Sequence, residues 1–290
     1  MEPFKPSELI INKNGSIFHL CLKPDHISDI IILVGDPNRV EMVSRYFDKI
    51  EIKIQNREFI THTGYFKKNK LTVISTGIGI DNIDIVLNEL DALANIDLKN
   101  RTQKKEHTTL RLIRIGTSGA IQMNIPLNSV IISKMAVGFD GLLNFYANRN
   151  KVCNLEIEQA FIRHTNWSKL LPSPYFVYSS DQLFNQLGKN INSGITVSAP
   201  GFYGPQGRII RLPVFDPDLN KKLENFDYQG LKITNYEMES SALFGLSKLL
   251  GHEAVTLCAI IANRAIKTYN PDYNEIMEKL ILNTLEQLTG

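Results

Sequence analysis

Cysteine is scarce in this chain of 290 residues: only Cys21, Cys153 and Cys258, far apart and with no CxxC pairing. An odd number of scattered thiols argues against a disulfide framework or a cysteine-bound metal, and fits a reducing compartment, the cytoplasm. The six histidines never pair at zinc-ligand spacing. No apolar run approaches the ~20 residues of a spanning helix. The opening MEPFKPSELIINKNG lacks the basic-then-apolar layout of a signal peptide. Net charge is only +2, so the overall field predicts neither nucleic acid nor membrane as partner. An anionic ligand would have to be held by a few placed arginines.

Several familiar motifs are missing too. GIGID (77–81) is not GxGxxG, because Asn82 follows, and there is no Walker sequence. GTSGA (116–120) fails the nucleophile-elbow pattern, since Ala120 stands in the place of the last glycine. Nothing here suggests nucleotide-cofactor, acyl-enzyme or metal chemistry.

What is present is an ordinary globular composition, 43% hydrophobic and 21% charged, long enough for a substantial core. Buried-strand patterns fall at 29–35, 70–76, 110–116, 128–133, 175–179, 194–198, 231–236 and 253–262. Helical spacing falls at 81–95, 155–166, 216–226, 239–250 and 272–288. A further helix opens after 36, with Asp36 suited to the N-cap and Pro37 to the first turn. In 239–250, Ala242, Leu243, Leu246, Leu249 and Leu250 form the inward stripe. This alternation predicts an α/β fold with a mixed sheet between helices. Without repeats or a low-complexity linker, residues 1–290 read as one domain. The polar insertion DLKNRTQKKEHTT (97–109) reads as a solvated, mobile loop.

Four stretches carry candidate chemistry. GDPNR (35–39) places Gly35 and a helix start after a buried strand, with Arg39 one turn in. That suits an anion, although a capped helix with a surface arginine gives the same pattern. RIGTSGA (114–120) sets Arg114, Thr117 and Gly119 at another strand end, where glycines would let backbone amides approach a ligand. A guanidinium within an apolar strand needs an anionic partner. NYEMES (235–240) offers Glu237, Met238 and Glu239 to sugar hydroxyls and a sugar ring, or caps a helix. GFYGPQGR (201–208) combines a glycine- and proline-shaped turn with Phe202, Gln206 and Arg208. IFHL (17–20) and NREF (56–59) are weaker still, and a lone histidine or arginine there reads first as structural.

Together GDPNRV, REF, STGIG, RIGTSGAI, FYGPQGR, YEMES and ANR occur in an order that resembles the nucleoside phosphorylase superfamily, and within it the members that cleave uridine. The resemblance implies a single α/β domain with a mixed, barrel-like central sheet flanked by helices, in a dimer or a hexamer of dimers. It implies reversible phosphorolysis of uridine, with phosphate as co-substrate, by a pentosyltransferase. Phosphate would meet Gly35, Arg39, Arg114 and Thr117, with Arg57 reaching in from a neighbouring subunit. Ribose would meet Glu237, Met238 and Glu239, with His19 supplied across the dimer to the 5′-hydroxyl. The base would stack on Phe202 beside Gly119 and bond to Gln206 and Arg208. Gln206, Arg208, Arg114 and Glu239 would carry the catalysis. Ile78 and Glu58 match positions near a monovalent-cation site, potassium for example; no other cofactor is implied. Purine-cleaving relatives usually carry an acid late in the chain, where IANRAI (261–266) has Asn263 and Arg264. A broader nucleoside phosphorylase and an inactive nucleoside-binding relative are the alternatives.

Overall fold

A computed structural model describes residues 2–290. Strand β1 (Ile30–Val34) leads into α1 (Asn38–Ser44) and then β2 (Lys49–Asn56), β3 (Phe59–Phe66) and β4 (Asn69–Ser75). Next come α2 (Ile80–Asn95), the short β5 (Ile96–Asp97) and β6 (Thr102–Gln103), and the long strands β7 (Arg111–Ala120) and β8 (Val130–Gly138). Then follow α3 (Arg149–Val152), α4 (Leu155–Thr165), β9 (Tyr175–Tyr178), α5 (Asp181–Leu187) and β10 (Asn192–Ser198). The chain ends with α6 (Leu219–Asn225), β11 (Asp227–Tyr228), β12 (Leu231–Glu237), α7 (Ser240–Leu250), β13 (Glu253–Asn263), β14 (Thr268–Tyr269) and α8 (Asn274–Thr289).

β7 is the hub of the sheet. It lies parallel to β1 on one side and β13 on the other, so Arg114 sits opposite both Leu33 and Thr256. The order β12-β10-β8-β13-β7 closes on itself, because β12 also pairs antiparallel with the far end of β7. The result is a five-stranded mixed barrel, as the resemblance implied, with β1, β4, β3 and β2 extending as a wing. Apolar side chains fill both faces: α2 and α7 cover one cluster around Leu33 and Leu112, and α1 and α8 another around Val34 and Ile113. Strand β1 is buried at every position, which is why IIILV reads as an unbroken apolar run.

Three sequence expectations change. The glycines of RIGTSGA do not end a strand: β7 runs straight through Gly116 and Gly119 to Ala120, and β8 likewise continues to Gly138. Pairing with β13, which shifts register at Ile261 opposite Ser118 and Gly119, and with β12 outweighs the local preference of glycine for turns. Helix α1 starts at Asn38, later than Asp36 suggests, although Asp36 Oδ1 still accepts the Asn38 N–H at 2.9 Å. The 97–109 insertion is tied down. Its β5–β6 ladder is flanked by Arg101, which donates to the carbonyls of Phe4, Lys5 and Leu9, and by His107, 3.0 Å from the Leu250 carbonyl. Polar composition suited these bonds as well as it suited solvent.

The hairpin β2–β3 was not among the expected strands, though Lys49-Ile50-Glu51-Ile52-Lys53-Ile54 alternates with period two. Its two-residue tip is Arg57-Glu58, and Arg57 takes a left-handed φ of 54°. A non-glycine residue in that region costs on the order of 1 kcal/mol, which the flanking ladder must offset.

Candidate active site

The carboxyl ends of β1 and β12, the outer half of β7 and the last residues of β13 surround one cavity of about 690 Å³. Crevices beyond strand ends are where open α/β folds place ligands. Gly35, Arg39, Arg114, Thr117, Gly119, Phe202, Gln206, Arg208, Glu237, Met238 and Glu239 all line it. Chain positions as distant as 35 and 239 thus share one space.

Two buried arginines stand together on one side of the cavity. Arg39 is delivered by α1 and donates to the Ile115 carbonyl at 3.4 Å. Burial, then the charge of Arg114, lowers its pKa. Arg114 is 4% exposed, a guanidinium almost wholly out of water. Burial alone would lower its pKa; the carboxylates of Glu239 and Glu237 prevail and raise it. Its Nη2 bonds to Glu239 Oε2, while Nη1 lies 3.5 Å from Glu237 Oε2 and 3.8 Å from Cys258 Sγ. Burial pushes the Cys258 thiol up to about 12, so it is a neutral neighbour.

Gly116 is explained by this side chain rather than by a ligand. A Cβ there would stand 2.1 Å from Arg114 Nη1, because the guanidinium folds back across residue 116. The expectation that this glycine admits a ligand to the backbone is thereby corrected.

The two glutamates of YEMES divide their labour. Glu237 accepts from Ser198 Oγ at 2.6 Å and from the N–H groups of Glu239 and Ser240 at 3.0 Å, so it caps α7. Glu239 accepts from the Gly79 N–H at 2.8 Å and pairs with Arg114. Burial raises the Glu239 carboxyl and the adjoining guanidinium opposes it; the two stand as an ion pair.

At the 202–208 loop, Gln206 is buried; its main-chain carbonyl accepts from Arg264 Nη2 at 3.1 Å and Asn220 Nδ2 at 3.3 Å. Arg208 Nη1 donates to Gln206 Oε1 and to the Phe202 carbonyl, both at 2.5 Å. Burial and the charge of Arg264 lower its pKa to about 10, leaving it charged at neutral pH. Its guanidinium also lies 3.7 Å above the Phe202 ring centroid. This corrects the simple stacking expectation: Arg208 covers one face of Phe202, and a base can use only the other while it stays there.

Two expected residues lie apart from this cavity. His19 and Arg57 meet each other instead, through Phe18: the Phe18 and His19 rings are 4.7 Å apart, and Arg57 sits 6.0 Å from the Phe18 centroid. Glu58 and Ile78 do line the cavity, together with Asn82. Among the described residues, no three His, Cys, Asp or Glu side chains are grouped to hold a metal.

Sequence reasoning missed Tyr236, Tyr269 and Tyr273 in the lining. Tyr236 sat in plain view inside YEMES. TYNPDY, with two tyrosines four apart, offered no comparable signal.

Residues 29–285 match the model of the phosphorylase superfamily. The chain belongs to that superfamily. Among its members, a uridine phosphorylase of Thermococcus kodakarensis is 30% identical, covering 93% of this chain and 85% of the relative. A uridine phosphorylase of Haemophilus influenzae is also 30% identical, over 86% and 87%. A DeoD-type purine nucleoside phosphorylase of Listeria monocytogenes is 28% identical over 83% and 85%. The solved structure of a Trypanosoma brucei nucleoside phosphorylase, described as showing uridine phosphorylase activity, superposes with a TM-score of 0.86 at 29% identity, covering 97% and 99% of the two chains.

Within a superfamily that includes purine enzymes, Asn263 is informative. Its Nδ2 donates to the carbonyls of Gln122 at 3.0 Å and Ile125 at 2.8 Å. Its Oδ1 accepts from the N–H groups of Ala265 at 3.0 Å and Ile266 at 3.3 Å. The amide is spent on holding the backbone and has no proton to offer a base.

Proposed function

We propose that this chain is a uridine phosphorylase, catalysing the reversible reaction of uridine and phosphate to give uracil and ribose 1-phosphate. The observation that carries this is the single cavity shared by a buried arginine pair, Arg39 and Arg114, and an amide–guanidinium edge, Gln206 and Arg208. Phosphate held by the arginines and Thr117 attacks C1′, and its charge offsets the oxocarbenium character of the ribose. Uracil departs as an anion. Arg208 donates to O4, while Gln206 Nε2 donates to O2 and Oε1 accepts from N3–H.

The Arg114–Glu239 pair gives the sequence of events a physical logic. Before phosphate enters, each group neutralises the other. Phosphate draws part of the guanidinium away, and the Glu239 carboxylate becomes free to accept from ribose hydroxyls. Binding of one substrate thus prepares the site for the other.

His19 and Arg57 complete the site of a neighbouring subunit in a dimer or a hexamer of dimers. In support, the two residues cluster with Phe18 outside their own chain's cavity. A potassium ion beside Glu58 and Ile78 belongs to the same reading. One carboxylate and one carbonyl are a fraction of an oxygen shell, so the fit requires both subunits. The unpaired thiols of Cys21, Cys153 and Cys258 support a cytoplasmic setting. No described helix is long and apolar enough to cross a membrane.

Release of base from uridine, thymidine and inosine, each with and without phosphate, tests the proposal. Uracil should appear only with phosphate, and inosine should be the slower substrate. Hydrolysis in phosphate-free buffer, or inosine cleaved faster than uridine, would overturn it.

A further inference from the structure

We infer that Glu89, which lies outside the cavity, is the positioning residue for His19 and thereby for the ribose 5′-hydroxyl in the neighbouring subunit. This rests on the shared-site reading above. From Phe18 to Lys23 the chain forms neither helix nor strand, so regular backbone pairing does not set the place of the His19 ring. The turn closes on its own backbone, with the Cys21 N–H donating to the Ile17 carbonyl at 3.1 Å and the Ile17 N–H to the Leu22 carbonyl at 2.9 Å. The Glu89 carboxylate, on α2, ties it to the body of the fold. Its two oxygens accept from the backbone N–H of His19 at 3.0 Å and of Leu20 at 2.9 Å, and its Oε1 lies 2.6 Å from His19 Nδ1. From the other side, Asn56 Nδ2 donates to the His19 carbonyl at 2.7 Å. The segment is therefore clamped between α2 and the hairpin that carries Arg57.

The chemistry of this clamp also sets the ring's proton. An ionised carboxylate can only accept, so the contact at 2.6 Å requires the proton on Nδ1. In the neutral ring that leaves Nε2 with its lone pair, and no described residue bonds to it. A ribose 5′-hydroxyl can donate to that lone pair. Glu89 thus supplies both the place and the tautomer of a group that would act in another subunit.

The test compares kcat/KM for uridine and 5′-deoxyuridine in the full-length wild type, Glu89→Ala, Glu89→Gln and His19→Ala, with Tm measured for each. Glu89→Ala should lower the uridine value about tenfold, the scale of one lost hydrogen bond, and leave 5′-deoxyuridine unchanged. Glu89→Gln keeps an oxygen for the two backbone N–H groups but turns an N–H toward Nδ1; it should retain more activity than Glu89→Ala. Equal losses on both substrates would make Glu89 merely structural and overturn the inference. So would an unchanged uridine value in Glu89→Ala when His19→Ala shows the 5′-dependent loss. If His19→Ala shows no such loss, the shared-site reading falls, and the role of Glu89 falls with it.

Discussion

Arg114 and Glu239 form an ion pair sealed from solvent at the wall of the cavity, with exposures of 4% and 3%. A guanidinium in that setting needs a counter-charge; Glu239 supplies it here, and on the proposed reading phosphate takes over that role. Removing one partner of a buried pair typically costs about 3–5 kcal/mol. Glu239→Gln should therefore lower Tm in phosphate-free buffer, and phosphate should restore more stability to the variant than to the wild type. Thermal unfolding across a phosphate series checks this; equal phosphate shifts in both proteins would contradict it.

Gly116→Ala separates packing from function. The added methyl meets the far end of a flexible side chain, at 2.1 Å from Arg114 Nη1, rather than the backbone. Stability should fall by only about 1–3 kcal/mol, the usual range for overpacking. Activity should suffer more, through a higher KM for phosphate, because the guanidinium is displaced. An unchanged KM would show that Arg114 does not hold phosphate.

Arg208→Ala should lower kcat/KM for uridine by about 10²-fold or more, as when a donor to developing negative charge is removed. Arg208→Lys should not recover it, since a point charge cannot bond to Gln206 and lie flat over Phe202 as the guanidinium does. Steady-state kinetics with uridine checks both. Near wild-type values for Arg208→Ala would remove this residue from the mechanism.

Mixing subunits tests the shared site directly. In an Arg57→Ala/Arg114→Ala hybrid dimer, one site would carry both changes and the other neither. Co-refolded mixtures should regain activity that neither variant has alone. Mixed oligomers that stay inactive would place Arg57 outside the neighbouring site.

Much of the molecule was legible in residue order alone. Unbroken apolar runs such as IIILV marked strands buried on both faces, and period-3.6 stripes marked α2 and α7, because burial imposes those repeats locally. Many of the cavity-lining residues were legible because glycines and arginines interrupt apolar strands only where something requires them. The hairpin tip at Arg57 was not, since its left-handed backbone is held by a ladder that closes only when β2 and β3 meet.

Tertiary structure decided what pairs with what. GTSGA reads as the end of a strand until β13 and β12 flank it and hold it extended. Gly116 reads as room for a ligand until Arg114 folds across it. Of the acids in YEMES, only contacts 39 and 125 residues away, to Ser198 and Arg114, show which caps a helix and which pairs with the buried guanidinium. Local preference acts over a few residues, whereas the partners of a buried charge are chosen by topology.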